Sequence, residues 1–296
     1  MNLRTDLAVE RREIVGSDYI DGVILKEYEE KGVKVTEIRV TDERGSKALG
    51  KPPGEYITLE VTPFTRMTDL FSSQLEVISN HIERLLPDEG TVLVIGLGND
   101  SITPDAFGPL VVKSVLATRH IDEELQKSIG FEGMRRVAAV ATGVLGKTGI
   151  ESGEIAKSIV RQIKPSAVIA VDALAARRLE RLGTTVQMSS SGITPGSGVG
   201  NARSALNSET LGVPVISIGV PTVVDGATLA YDIMEKAGVD ESRVTEDILR
   251  PFGQGVIVTP EEVDLMVQRA ALLVAMGINC ALQKHTDPKD ILAIVG

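Results

Sequence analysis

Two aspartates stand where acid–base chemistry is easiest to build. Asp105 lies in the loop GLGNDSITPDAFGP (96–109), which follows the apolar run TVLVI, and Asp172 closes the apolar run SAVIAVD (166–172). In open α/β sheets the ligand crevice lies beyond the carboxyl ends of the strands, where both acids would fall. Carboxyls brought close together do not both carry full charge, so one tends to keep a proton. The ionised member then takes a proton from water, and the neutral one donates to a peptide carbonyl or leaving amine. Alternatively, the pair holds a divalent metal. Each acid also has a structural reading. Thr103 as N-cap and Pro104 at the first helical position would leave Asp105 as a first-turn acid. Asp172 would cap a helix over ALAARRLERL (173–182).

Other loops compete for the chemistry. ATGVLGKT (141–148) fits a relaxed P-loop with Ala141 in place of the first glycine. Lys147 would reach phosphate and Asp172 would serve as the magnesium acid of an NTPase, although the missing glycine weakens the backbone wrap. GLG (96–98) begins like a dinucleotide fingerprint, but Ser101 stands where the third glycine belongs. SSSGITPGSGVGNAR (189–203) is a long connection rich in glycine and serine, which lets another backbone approach closely. Asn99, Thr142, Gly143, Gly196, Ser197 and Gly198 are therefore candidates for contact with a bound chain. Nucleophile schemes find little support. His81, His120 and His285 are scattered, no serine sits in a G-x-S-x-G elbow, and Cys280 lies in an apolar stretch as a structural thiol.

The pattern around these loops is one of short apolar runs alternating with helices. Strands are expected at 91–98, 136–141, 166–173, 184–189 and 213–220, and helices at 65–86, 106–120, 149–163, 173–182, 224–237 and 259–283. Such alternation predicts an α/β fold, a doubly wound, mostly parallel sheet flanked by helices. Ahead of it, 21–28, 33–40 and 55–61 read as strands, a β-rich N-terminal region over about 15–62.

Composition narrows the class. Aromatics are 3% and tryptophan is absent, so the core must be built from Val, Ile, Leu and Ala, which suits covered parallel strands. A net charge of −10 disfavours direct nucleic-acid binding. A lone cysteine fits a reducing compartment. MNLRTDLAVERREIVG at the start lacks a secretory core, and 270–282 is too short to span a bilayer, so a cytoplasmic protein without a membrane partner is expected.

RTDLAVE (4–10), GLGN and TPDAFGP (96–109), GVLGKTGIE (143–151), VDALAAR (171–177), GITPGSGVGN (192–201), IGVPTVVD (218–225) and VTPEEVD (258–264) occur in the order found in the spore germination proteases, and the chain resembles that family throughout. The resemblance implies an atypical aspartic endopeptidase of the spore core that begins the degradation of small acid-soluble spore proteins, with Asp105 and Asp172 as catalytic acids. It implies a zymogen that clips itself, here at Asp6–Leu7, making residues 1–6 a propeptide and 7–296 one protease domain. It implies a homotetramer and no obligatory cofactor. The family is similar in fold to hydrogenase maturation proteases, whose GxGN loop supplies metal-binding acids, so a metal-dependent protease is an alternative expectation. A module that only docks a partner through its glycine-rich loop is the remaining one. Ser190 followed by Ser191 precedes Gly192, where members of the family often carry an aspartate before the glycine.

Overall fold

The computed structural model describes residues 4–17, 19–70, 73–128, 132–196, 204–239, 245, 249 and 255–295. Its centre is a nine-stranded mixed sheet: β1 (Val23–Glu30), β2 (Val33–Val40), β3 (Gly54–Glu60), β4 (Val92–Leu97), β5 (Val137–Gly143), β6 (Ala167–Ala176), β7 (Thr185–Ser189), β8 (Val215–Asp225) and β9 (Ile257–Val258). The order across the sheet is β1-β2-β3-β7-β8-β6-β4-β5, with β9 paired to the end of β8. The parallel sheet expected from the alternating pattern is the half β5-β4-β6-β8. The β-rich N-terminal region extends that half as an antiparallel ribbon, β1-β2-β3, through the antiparallel strand β7.

Helices cover both faces. Ser73–Leu85 buries Leu75, Ile78 and Ile82, a helical recurrence, against the helix Val263–Leu282. Together with Phe107–Lys113 they close one face over Val92, Val94, Ile169, Val171, Ile216 and Ile218. Ser152–Ile163 sets Ala156 and Val160 on the other face, over Leu93, Ile95, Val168 and Ala170. At 20 residues, Val263–Leu282 is longer than the apolar stretch read from the sequence, and by length and composition alone it would reach across a bilayer. Here it is a core helix, with Val267, Ala270, Leu273, Val274 and Ile278 fully enclosed.

Several elements depart from expectation for identifiable reasons. Residues 173–182 do not form a helix: β6 runs on to Ala176, and only the single 3₁₀ turn Leu179–Arg181 follows. The cause lies in the neighbouring strand, because β8 continues to Asp225 and pairs with β6 as far as Ala176↔Val224. β8 passes through Pro221, and the register with β6 slips between Leu174 and Ala175, where the proline offers no N–H. The helix expected over 106–120 is the shorter Phe107–Lys113, and a helix not read from the sequence, Ala8–Val15, forms near the start of the chain.

Cys280 lies on Val263–Leu282, and burial, helped by the nearby Asp287 carboxylate, pushes its thiol up to about 11. A pKa raised that far leaves almost no thiolate near neutrality. The native protein should therefore react with a thiol-specific disulfide reagent at pH 8 only slowly. Full reaction should appear once the chain is unfolded in denaturant, as a colorimetric thiol assay would register.

Candidate active site

β4 stops at Leu97, whereas β6, its parallel neighbour, continues for nine residues beyond its own start, to Ala176. Their pairing ends at Gly96↔Val171. The very next residue of β6 is Asp172, so it sits at the step where β4 has left the sheet. It is 6% exposed and in register with Gly219 of β8. It is thus a mid-strand residue, which rules out the helix-cap reading.

Asp105 reaches the same step from the loop after β4. Thr103–Asp105 form a 3₁₀ turn, and Phe107–Lys113 begins two residues later. Asp105 Oδ2 accepts the Asn99 amide at 2.7 Å, and Asn99 Oδ1 accepts the Ser101 amide at 3.1 Å, so the loop is closed on its own side chains. Thr222 of β8 donates its hydroxyl to the Pro104 carbonyl at 2.7 Å, fixing the turn to the sheet. Two glycines permit this packing. Gly98 has φ of 109°, and a Cβ there would lie 2.1 Å from the Asp105 carbonyl oxygen. A Cβ on Gly108 would lie 2.3 Å from the Leu97 carbonyl and 2.6 Å from that of Val171, so only glycine lets the helix start rest on both strands.

Asp105 and Asp172 line one crevice of about 410 Å³, whose walls include Gly98, Val144, Ser152, Pro195, Gly196 and Thr222. Of the candidates read from the sequence, Gly196 lies in its wall and Asn99 contributes its amide to Asp105. Thr142 and Gly143 end β5 and are not in the wall; Val144 and Ser152 take that place, with Ser152 Oγ donating to the Gly143 carbonyl at 3.2 Å. Ser197 and Gly198 lie outside the described residues. None of the three histidines lines the crevice.

The P-loop does not form. Leu145–Thr148 is a single helical turn closed by Gly149 at φ of 69°, and the next helix starts only at Ser152. A P-loop hands its lysine directly to a helix N-terminus. Lys147 instead donates to Asp100 Oδ1 at 2.6 Å and to Ser101 Oγ at 2.5 Å.

Asp6 also lines the crevice, and sequence reasoning did not anticipate how firmly it is held. Its amide donates to the Ala175 carbonyl at 2.8 Å, and Oδ2 accepts the Ala175 amide at 2.9 Å. Its carbonyl accepts from Lys51 Nζ at 2.7 Å and Gln187 Nε2 at 3.1 Å, while Gln187 Oε1 accepts the Ala8 amide at 2.7 Å. Arg4 pairs with Asp225 at 3.3 Å, and Leu7 and Ala8 are 0% exposed. Burial pulls the Lys51 ammonium down, opposed by Asp6 and reinforced by Arg11. No local signal could have pointed to Lys51 or Gln187, since both act on a segment far away in the chain. Among the described residues, no group of three or more His, Cys, Asp and Glu side chains is placed to hold a metal ion.

A family profile described as germination protease matches residues 4–237 and 233–293. The chain belongs to the germination protease family. Curated germination proteases are similar over almost its entire length. That of Caldanaerobacter subterraneus subsp. tengcongensis is 45% identical, with 98% of this chain and 97% of the relative covered. That of Clostridium perfringens strain ATCC 13124 is 43% identical, with 98% of each covered. That of Priestia megaterium is 36% identical, with 98% of this chain and 96% of the relative covered. Among solved structures, a nickel–iron hydrogenase maturation protease of Thermococcus kodakarensis KOD1 is similar at 18% identity and a TM-score of 0.37, covering 67% of this chain and 98% of that one. Family membership makes the chain a protease of spore germination, a hydrolase.

The loop that carries Asp105 depends on the absence of a side chain at Gly98. Gly98→Ala should cost about 1–3 kcal/mol, the usual range for a residue held in a strained backbone region. It should also lower proteolysis at least about tenfold, because the Asp105 turn must move. Urea denaturation and a peptide-cleavage assay on the same preparation check both.

Proposed function

We propose that the chain is an endopeptidase in which Asp105 and Asp172 act as an aspartate pair on a peptide laid across the step between β4 and β6. The observation that carries this reading is the shared crevice: two acids from separate βα loops and strands face one open space of about 410 Å³. The ionised member takes a proton from water, and its protonated partner donates to the carbonyl and then to the leaving amine. Asn99 keeps Asp105 oriented by donating its amide to Oδ2. Past Asp172 the edge of β6 that β4 leaves open offers main-chain donors and acceptors to an extended peptide, the strand-addition mode of peptide recognition.

Autoprocessing at Asp6–Leu7 belongs to the same proposal. Asp6 already sits on that edge, bonded to Ala175 through two hydrogen bonds. In this reading residues 1–6 are a propeptide whose Asp6 stands in the crevice until it is cut away. Small acid-soluble spore proteins are the proposed substrates, the spore core the site of action and a homotetramer the assembled form, each suggested by family membership. A metal-assisted mechanism would need the aspartates to act as ligands, and the described residues supply too few donors for a closed site.

Asp105→Asn and Asp172→Asn should each reduce cleavage of a small acid-soluble spore protein by about 10³-fold or more, in keeping with the loss of a general acid or base. Circular dichroism should show the fold retained. A metal chelator should leave the wild-type rate unchanged. Full activity in either variant ends the aspartate-pair reading, and loss of activity on chelation replaces it with a metal-dependent one.

A further inference from the structure

Glu10 is an acid buried to 0% exposure that neither the crevice chemistry nor the fold's ion pairs account for. It sits in the first turn of the helix Ala8–Val15, just after the proposed cut. Oε2 accepts the Arg177 amide at 2.6 Å, and Oε1 accepts the Arg178 amide at 2.9 Å. These are the two residues that follow β6, whose preceding residues Ala173, Leu174 and Ala175 line the crevice. The third bond to Glu10 comes from the Thr5 hydroxyl, which donates to Oε2. That same hydroxyl accepts the amide of Leu7 at 3.0 Å. One removable oxygen therefore stands between a buried carboxylate and the nitrogen of Leu7.

The charges around Glu10 leave it short of compensation. Burial raises its pKa, and Glu13 adds to the rise, against the hydrogen bonds from Thr5, Arg177 and Arg178. Arg177 and Arg181 are near enough to feel it, but their guanidinium groups are engaged elsewhere. Arg177 holds Asp232 and Glu235, and Arg181 holds Glu60 and Glu13.

We infer that Glu10 is the binding site for the α-ammonium group of Leu7 once residues 1–6 are removed, and that it is a positioning residue of the mature protease. The inference rests on the proposed cut at Asp6–Leu7. Hydrolysis of that bond adds one water, leaving a carboxylate on Asp6 and an ammonium on Leu7. Departure of the propeptide takes Thr5 away and vacates the space between the Leu7 nitrogen and Oε2. The new cation then meets the carboxylate across that space, and a hydrogen bond from a neutral hydroxyl is replaced by a charge-assisted one. Through the Arg177 and Arg178 amides the pair holds the end of β6 in place after the two bonds from Asp6 to Ala175 have gone. The open edge stays formed for a substrate.

The test uses a chain made to begin at Leu7 as a ubiquitin fusion trimmed to leave that residue first, so it does not depend on self-cleavage. With ¹⁵N-leucine label, the Leu7 α-amine should titrate above the ordinary range of about 7.7–8.0 for a free terminus. In Glu10→Gln it should return to that range. Cleavage of a small acid-soluble spore protein should fall about tenfold in Glu10→Gln, the scale of one charge-assisted hydrogen bond. It should fall similarly in a chain beginning one residue earlier, at Asp6, whose ammonium is displaced by about 3.8 Å, one Cα–Cα step. The second variant keeps Glu10 and serves if the first does not fold. A Leu7 α-amine that titrates in the ordinary range, or full activity in the chain beginning at Asp6, overturns the inference. Terminal sequencing of matured full-length protein is a separate readout: a terminus other than Leu7 refutes the proposed cut, while the engineered chain still decides the pairing.

Discussion

Hydrogen-bond satisfaction at a stepped sheet governs most of what surrounds the candidate site. β6 outruns β4, so among the described residues the main-chain groups of 172–176 have β8 on one side and no strand on the other. Buried peptide groups left unpaired are costly, on the order of 1–3 kcal/mol each. The molecule meets this demand with its own N-terminal segment: Asp6 satisfies both groups of Ala175, and Glu10 satisfies the amides of Arg177 and Arg178. A step that needs a strand-like partner is also a place where a foreign peptide can lie. The same geometric fact thus explains the crevice, the position of Asp172 and the ordering of the chain's beginning.

The step is held open by rigid neighbours. The Asp105 loop cannot collapse onto β6, because Thr222 and Asn99 fix it from two sides. The first helical turn after it rests on strand carbonyls at a distance only glycine allows. Beneath the step, Phe107, Val171 and Val220 belong to a continuous core with Val263–Leu282. Close packing of this sort is nearly incompressible and holds the acids where they are.

How much of this was legible in the sequence differs by element. TVLVI and SAVIAVD announced strands by their unbroken apolar character, and the two aspartates were readable because each followed such a run. ALAARRLERL read as a helix because Ala, Leu and Arg favour one, but β8 offers a longer partner and the ladder overrides the local preference. The strand expected at 213–220 falls short of Pro221, and the register slip opposite that residue reconciles a proline with a continuing strand. The roles of Lys51, Gln187 and Glu10 were beyond any reading of spacing. Gln187 lies 181 positions from the carbonyl it grips, and Glu10 lies 167 positions from an amide it accepts. The family motifs did mark RTDLAVE as meaningful, without indicating that it would be locked into the sheet.

The grip on the opening residues has a kinetic consequence. Arg4 holds Asp225, Asp6 holds Ala175, and Lys51 holds the Asp6 carbonyl, and none of these contacts depends on the covalent link to Leu7. In the proposed autoprocessing, a chain severed after Asp6 would therefore start with residues 4–6 still seated. Only the tether has been lost, and with it a high effective concentration. Escape of that fragment would then be a step separate from bond scission. The fragment itself would be a competitive ligand for the groove it vacates.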